Sequence, residues 1–187
     1  MKNTFSQRKK SILSKKDKSS KQCWDKKIIP LCEKINKFED YYTTSSCSGR
    51  VVIMIDQNKK QEKLFLKVYH DLINFGQLKK DLNKINKKQL IKFKQEPCII
   101  HIACKNLEDA KMLLKKSRDA GWKRSGIITL SNDKYILELM STEKLEFPVV
   151  SEGKLLVNDE FLELVVKKSN ENLKKSWMKI EKLSGLI

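Results

Sequence analysis

The way this chain pairs its short apolar runs constrains its fold more than any other feature. Alternating runs at 50–56 and 63–70 are separated by little more than the polar turn Gln57-Asn58-Lys59-Lys60-Gln61, and those at 126–131 and 135–141 by a turn at Asn132-Asp133. Connections this short return the chain antiparallel, because a parallel neighbour needs a crossover of about a dozen residues or more. Further β-rich runs stand at 91–94 and 98–104, either side of Gln95-Glu96-Pro97, and around 147–150 and 154–157.

Helical spacing appears between them. Residues 4–14 carry Phe5, Ile12 and Leu13 among basic side chains, and 25–38 carry Ile28, Leu31, Cys32, Ile35 and Phe38, with Pro30 acceptable only in a first turn. Asn106 with Asp109 three residues later marks a helix start, followed by Leu107, Ala110, Leu113, Leu114 and Ser117 up to Gly121. A long C-terminal helix follows Asn158, with Phe161, Leu164, Val165, Leu173, Trp177, Ile180 and Leu183 on its apolar face. The order helix, hairpin, strands, helix, hairpin, strands, helix is an α+β pattern. It predicts a single compact domain over 1–187, a mixed or antiparallel sheet of hairpins with packed helices, and not a Rossmann-type doubly wound fold. Residues 1–24 read as a basic N-terminal helix and arm, 42–49 as a loop, and 71–90 as a polar, Lys-rich insert. Its weak helical pattern (Leu78, Leu82, Ile85) reads as a flexible excursion.

Charge narrows the partners. Forty Lys and Arg stand against 23 Asp and Glu, a formal net charge of +17, and residues 1–27 hold ten basic side chains with only Asp17 and Asp25 opposing them. Each cation placed on a phosphate releases a condensed counterion, so a polyanion is the natural partner. A chain rich in Lys, Asn and Ile with four Arg is also what AT-rich coding sequence yields, so many lysines are simply solvated. No apolar run approaches the roughly 20 residues of a membrane span, and the first residues lack a secretory signal. A cytoplasmic, membrane-free protein, expected to be a monomer, follows.

Five cysteines (23, 32, 47, 98 and 104) without a CxxC pair read as reduced thiols. Cys98, His101 and Cys104 tempt as a metal cluster, but alternation on a strand sends both cysteines to one face with Ile100 and Ile102. His101 goes to the other, beside Ile99 and Ala103. No metal is expected. Six glycines include no G-x-G cluster, so Rossmann and Walker A phosphate loops are both missing. Two histidines, His70 and His101, are present, without a G-x-S-x-G elbow. What remains is Thr43-Thr44-Ser45-Ser46-Cys47-Ser48-Gly49-Arg50, a run of hydroxyls closed by a glycine and a guanidinium. Such a segment suits a carboxylate, a phosphate or a ribose, and equally an ordinary polar turn. The first hairpin sets Arg50 and His70 at the same end of the sheet.

The string Tyr42 to Arg50, after the helix bearing Lys27-Ile28-Ile29-Pro30-Leu31, resembles the family of the third wybutosine-synthesising protein of tRNA. Collinear segments extend the likeness over essentially the whole chain: Asp17-Lys18-Ser19, His70-Asp71, Glu96-Pro97 leading into Ile100 to Cys104, Ala120-Gly121-Trp122, Ser125-Gly126-Ile127, Leu145 to Pro148 and Gly153 to Val157. One departure is Met140-Ser141-Thr142, where an arginine is expected before the serine.

The resemblance implies an α+β methyltransferase that carries the methyl of S-adenosylmethionine to a ring nitrogen (N4) of the tricyclic guanine derivative beside the anticodon of tRNA-Phe. It implies catalytic roles for His70 and His101, with Asp71 and Glu96 behind them. Cofactor contacts fall on Ser46, Ser48, Gly49, Arg50, Ser125 and Gly126, and RNA contacts on Lys18, Lys26 and Lys27. Which loop residues touch cofactor and which touch tRNA stays open. A non-catalytic basic RNA-binding protein explains the charge equally well but not the ordered motifs. A small hydrolase using Ser46 or Ser48 with His70 has only residue types behind it.

Overall fold

The computed structural model describes residues 4–15, 25–57, 64–131 and 133–187. Its strands are β1 (Tyr41–Cys47), β2 (Arg50–Ile55), β3 (Phe65–Tyr69), β4 (Ile91–Glu96), β5 (Ile99–Cys104), β6 (Gly126–Ser131), β7 (Lys134–Met140), β8 (Leu145–Ser151) and β9 (Lys154–Leu155). Its helices are α1 (Phe5–Leu13), α2 (Ile29–Lys37), α3 (Phe75–Asn83), α4 (Leu107–Asp119) and α5 (Asp159–Leu186). The class is α+β and every ladder is antiparallel, as the paired runs require. Residues divide into two units, one of 1–48, 98–142 and 176–187 and one of 49–97 and 143–175.

In the first unit the strand order is β1-β5-β7-β6. Cys98, Ile100, Ile102 and Cys104 alternate into a core with Leu137 and Leu139 of β7, Leu31, Cys32 and Ile35 of α2, Ala110 and Leu113 of α4, and Ile180 and Leu183 of α5. Fully buried Trp122 joins them, its indole N–H donating to the Lys179 carbonyl at 3.0 Å. The opposite face of the sheet is half covered. There Tyr42, Ala103 and Ile136 pack against Phe5 and Ile12 of α1. Asn106, expected to start α4, accepts at Oδ1 from the Asp109 N–H at 2.9 Å, and at α1 Thr4 and Gln7 close a reciprocal capping box. Burial pushes the Cys32 and Cys104 thiols up to about 11 and about 12, so both stay protonated inside the core.

The segment expected to be a loop at 42–49 is mostly strand. β1 pairs with β5 from Tyr41↔Cys104 to Cys47↔Ile99, with a bulge between Thr43 and Ser45. Thr43, Thr44 and Tyr42 suit a pleated surface, and the edge strand tolerates the run of hydroxyls.

In the second unit the order is β3-β2-β4-β8-β9. Phe93 stacks on Phe147, which meets Phe161 of α5 edge-on. Asn158 caps α5 by accepting from the Phe161 N–H at 2.9 Å. The insert at 71–90 is not an open excursion. Asn74 caps α3 through the Gln77 N–H, Leu78 and Leu82 are buried, and buried Asp81 accepts from Tyr69 Oη at 2.6 Å and Gln77 Nε2 at 2.7 Å. The apolar pair at i and i+4 was enough once an anchor for Asp81 existed. Gln95, fully buried on β4, is fully bonded: it accepts from Asn172 and donates to the carbonyls of Glu96 and Glu143. No helix among the described residues is long and apolar enough to cross a membrane.

Two consequences are measurable. Ile102→Ala, in the first core, should cost about 2–5 kcal/mol by the transfer-plus-cavity effect, and Ile99→Ala on the half-covered face much less, read from chemical denaturation. Equal losses would show that the alternation of β5 does not define the core. Lys144 donates to Glu146 at 2.7 Å, burial opposes ionisation more weakly, and Lys92 adds a second ion pair at 2.9 Å. The Glu146 carboxyl is thereby depressed to about 2 from its ordinary 4.5. A depressed carboxyl stabilises fully above its unfolded value and loses that contribution as pH falls through the folded one. Glu146→Gln should therefore lower the melting temperature at neutral pH and cost progressively less as pH drops from 4.5 toward 2; a pH-independent loss would contradict the pairing.

Candidate functional site

Strand register on the half-covered face of the first unit lines up four residues in one row. Ser45 lies opposite His101, His101 opposite Glu138, and Glu138 opposite Gly126. Cross-strand partners share a face at hydrogen-bonding reach. Ser45 Oγ and His101 Nδ1 are 2.8 Å apart, and His101 Nε2 and Glu138 Oε2 are 2.8 Å apart. The imidazole and the carboxylate keep 30% and 29% of their side-chain surface, enough for a ligand to reach them. At the end of the row Gly126 leaves room: a Cβ built there meets nothing within 4 Å. The neighbouring level of the same face carries Cys47, Ile99 and Met140, in register. Met140 occupies the place where an arginine was expected, so this level is apolar.

The serines of the signature divide by face. Ser46 points away from the row, toward Cys32, whose thiol it hydrogen-bonds. Ser48 is fully buried, and its N–H and Oγ–H both donate to Asp25 Oδ2 at 3.1 and 3.3 Å. Ser125 is buried as well; its hydroxyl donates to the Trp122 carbonyl at 2.6 Å and accepts from the Met140 N–H at 3.1 Å. Ser141 is buried beside Ser176. Gly49 adopts φ of +97°, a left-handed turn that a side chain would strain.

In the second unit Arg50 opens β2. Val51 pairs with Tyr69, so Arg50 and His70 do stand at the same end of that hairpin, with exposed Asp71 next in the chain. Arg50 Nε donates to Glu96 Oε2 at 2.6 Å, Lys94 donates to the other oxygen at 2.8 Å, and the guanidinium lies over the Phe65 ring at 5.1 Å. Burial alone would raise the Glu96 carboxyl. The hydrogen bond from Lys94 and the charge and hydrogen bond of Arg50 together outweigh it and hold the carboxyl below its ordinary value. Glu96 is thus an anion that orients Arg50. Arg50, less than a third exposed, keeps the planar fork suited to a carboxylate or phosphate.

Of the basic residues singled out, Lys26 and Lys27 are exposed, and Lys27 Nζ sits 4.9 Å over the Trp177 ring. Lys18, like most of the arm, lies outside the described residues. Sequence reasoning missed two members of the row. Ser45 stands within the signature, but a segment read as a loop assigns it no face and does not set it apart from Ser46. Glu138 carried only a period-two signal within a strand, and its partner depended on a register that no local pattern reveals.

Comparison with known proteins agrees with the residue-level likeness. The model of the family described as Methyltransferase TYW3 matches residues 7–187. A relative from Archaeoglobus fulgidus, named tRNA(Phe) 7-((3-amino-3-carboxypropyl)-4-demethylwyosine(37)-N(4))-methyltransferase, is 37% identical over 163 residues, 86% of this chain and 81% of its own. The human tRNA wybutosine-synthesizing protein 3 homolog is 32% identical over 189 residues, covering 98% of this chain and 72% of its own. Among solved structures, a Pyrococcus horikoshii protein superposes with a TM-score of 0.81 at 31% identity, over 87% of this chain and 82% of that one. A protein from Aeropyrum pernix gives 0.74 at 25% identity, over 86% and 95%. The chain belongs to the TYW3 methyltransferase family.

Proposed function

We propose that this chain transfers a methyl group from S-adenosylmethionine to N4 of the demethylated tricyclic base at position 37 of tRNA(Phe); its archaeal relatives are named as N(4)-methyltransferases of a 4-demethylwyosine at that position. The observation that carries the reading is the imidazole of His101, fixed between a hydroxyl and a carboxylate on an accessible sheet face, in a chain that matches the family along nearly its whole length. Methylating a ring N–H needs its proton removed as the nitrogen attacks, and histidine is the usual acceptor near neutral pH.

S-adenosylmethionine, when bound, supplies a methyl activated by the positive sulfonium. The residues present fit such a donor. In the second unit Arg50, steadied by Glu96, has the planar fork that suits a carboxylate; in the first, taken by itself, the space at Gly126 admits a close approach of ligand to backbone. Ser48 and Ser125, whose hydroxyls are used inside the protein, serve as struts that hold the ends of β1 and β6. His70 and Asp71 at the Arg50 end of the β2–β3 hairpin are ligand contacts, and Lys26 and Lys27 meet tRNA phosphates. Orientation of the two reactants supplies most of the acceleration, because in-line transfer needs little else from the protein.

Calorimetric titration of S-adenosylmethionine, with and without tRNA, tests this reading. The wild type should bind the donor, and Arg50→Ala should weaken binding by roughly 10–100-fold, the loss of one charge-assisted pair, with its thermal melt nearly intact. No binding under either condition would overturn the methyltransferase reading. Unchanged donor affinity with weaker tRNA binding would reassign Arg50 to an RNA phosphate.

A further inference from the structure

Both ring nitrogens of His101 are engaged, and this determines how the histidine can act. Glu138 offers only acceptors as a carboxylate, so Nε2 carries the ring proton and donates across the 2.8 Å contact. Nδ1 is then the acceptor, and the partner at 2.8 Å is the Ser45 hydroxyl, which donates to it. The imidazole has no ring nitrogen left to meet a substrate directly. Ser45 does have capacity: its oxygen keeps lone pairs while its proton points at Nδ1, and the residue lies exposed on edge strand β1.

Building on the methyltransferase reading, we propose that Ser45 is the catalytic residue that meets the reacting N–H, that His101 takes the proton through it, and that Glu138 is a positioning residue for the imidazole. In the step, the substrate N–H proton passes to Ser45 Oγ as the Ser45 hydroxyl proton passes to His101 Nδ1. The nitrogen electron pair freed by that transfer forms the new N–CH3 bond, and the S–CH3 bond breaks with its electrons returning to sulfur. The positive charge lost at sulfur reappears on the imidazolium, which the Glu138 carboxylate stabilises at Nε2. Serine is regenerated within the step, so no covalent intermediate forms, unlike in a serine hydrolase of similar composition.

Other groups facing this imidazole are few. Cys47 and Tyr42 on β1 and Glu138 on β7 are the titratable side chains at its level or the next on the same face. α1, packed over the far half, brings Arg8, which donates to the Asp133 carbonyl, and Lys9, which donates to the Phe38 carbonyl.

Single-turnover methyl transfer from radiolabelled S-adenosylmethionine to tRNA(Phe) bearing the demethylated base tests the relay. Ser45→Ala and His101→Ala should each slow the chemical step by about 10²-fold or more, with little change in tRNA or donor affinity. The double variant should be no more than a few-fold slower than either, since groups acting as one unit are not additive. Glu138→Gln should keep the fold and the donor and tRNA affinities but slow the chemical step, because the imidazolium then forms without a carboxylate at Nε2, and Glu138→Asp should restore part of the rate. If His101→Ala fails to fold, His101→Asn, which can still bond both neighbours, takes its place. Ser45→Ala at the wild-type rate beside an impaired His101 variant would overturn the relay while leaving the methyltransferase reading intact. So would multiplicative losses in the double variant. A wild-type protein that binds the donor but transfers no methyl would overturn both.

Discussion

β5 hydrogen-bonds to β1 on one side and β7 on the other, so its period-two alternation is imposed on three strands at once. Ile100 and Ile102 enter the core between Cys98 and Cys104, while Ile99, His101 and Ala103 take the other face. A slip of one residue would exchange these sets, and each large apolar side chain brought to water costs about 1.5–3 kcal/mol. The core thereby enforces the register, and the register brings Ser45, His101 and Glu138 within hydrogen-bonding distance. α1 completes the division by covering Tyr42, Ala103 and Ile136 and leaving the polar row accessible. Stability and chemistry in this unit rest on the same ladder.

The second unit is organised around charge. Arg50 at the start of β2 is oriented by Glu96 on the paired strand β4, and Lys94 makes Glu96 a firmer anion. Such a guanidinium is presented in one orientation, as a planar fork of the geometry that suits a carboxylate or phosphate. The left-handed Gly49 turns the chain just ahead of it. A signature rich in hydroxyls thus does two kinds of work: Ser46 and Ser48 bond inward, while Ser45 faces the accessible row.

The fold was largely legible because hairpin connections and helix caps are local. Asn106, Asn158 and Pro30 mark their helices in the chain itself, and short connections between apolar runs call for antiparallel pairing. Legibility failed where an element depends on a remote partner. α3 is held by buried Leu78 and Leu82 and by the bonds of Asp81 to Tyr69 and Lys67, none visible in a Lys-rich stretch. The strand at 41–47 looked like a loop because its hydroxyl run has no apolar alternation; its order comes from pairing with β5. At the site, the face of His101 follows from alternation and its selection from the family resemblance, while the shared hairpin end of Arg50 and His70 follows from the short connection. Glu138 did not, because joining 101 to 138 requires a register set by the core. Glu96, read as support for a histidine, bonds Arg50 and Lys94.

The central claim is that the accessible row serves N4-directed methyl transfer on a modified purine beside the anticodon. Mass spectrometry of nucleosides from tRNA(Phe), after incubation of the full chain with S-adenosylmethionine, tests it most directly. The expected result is one added methyl on the demethylated tricyclic nucleoside at position 37, absent when that position carries unmodified guanosine. Methylation of any other nucleoside, or an unchanged nucleoside profile from protein that binds both donor and tRNA, would contradict it.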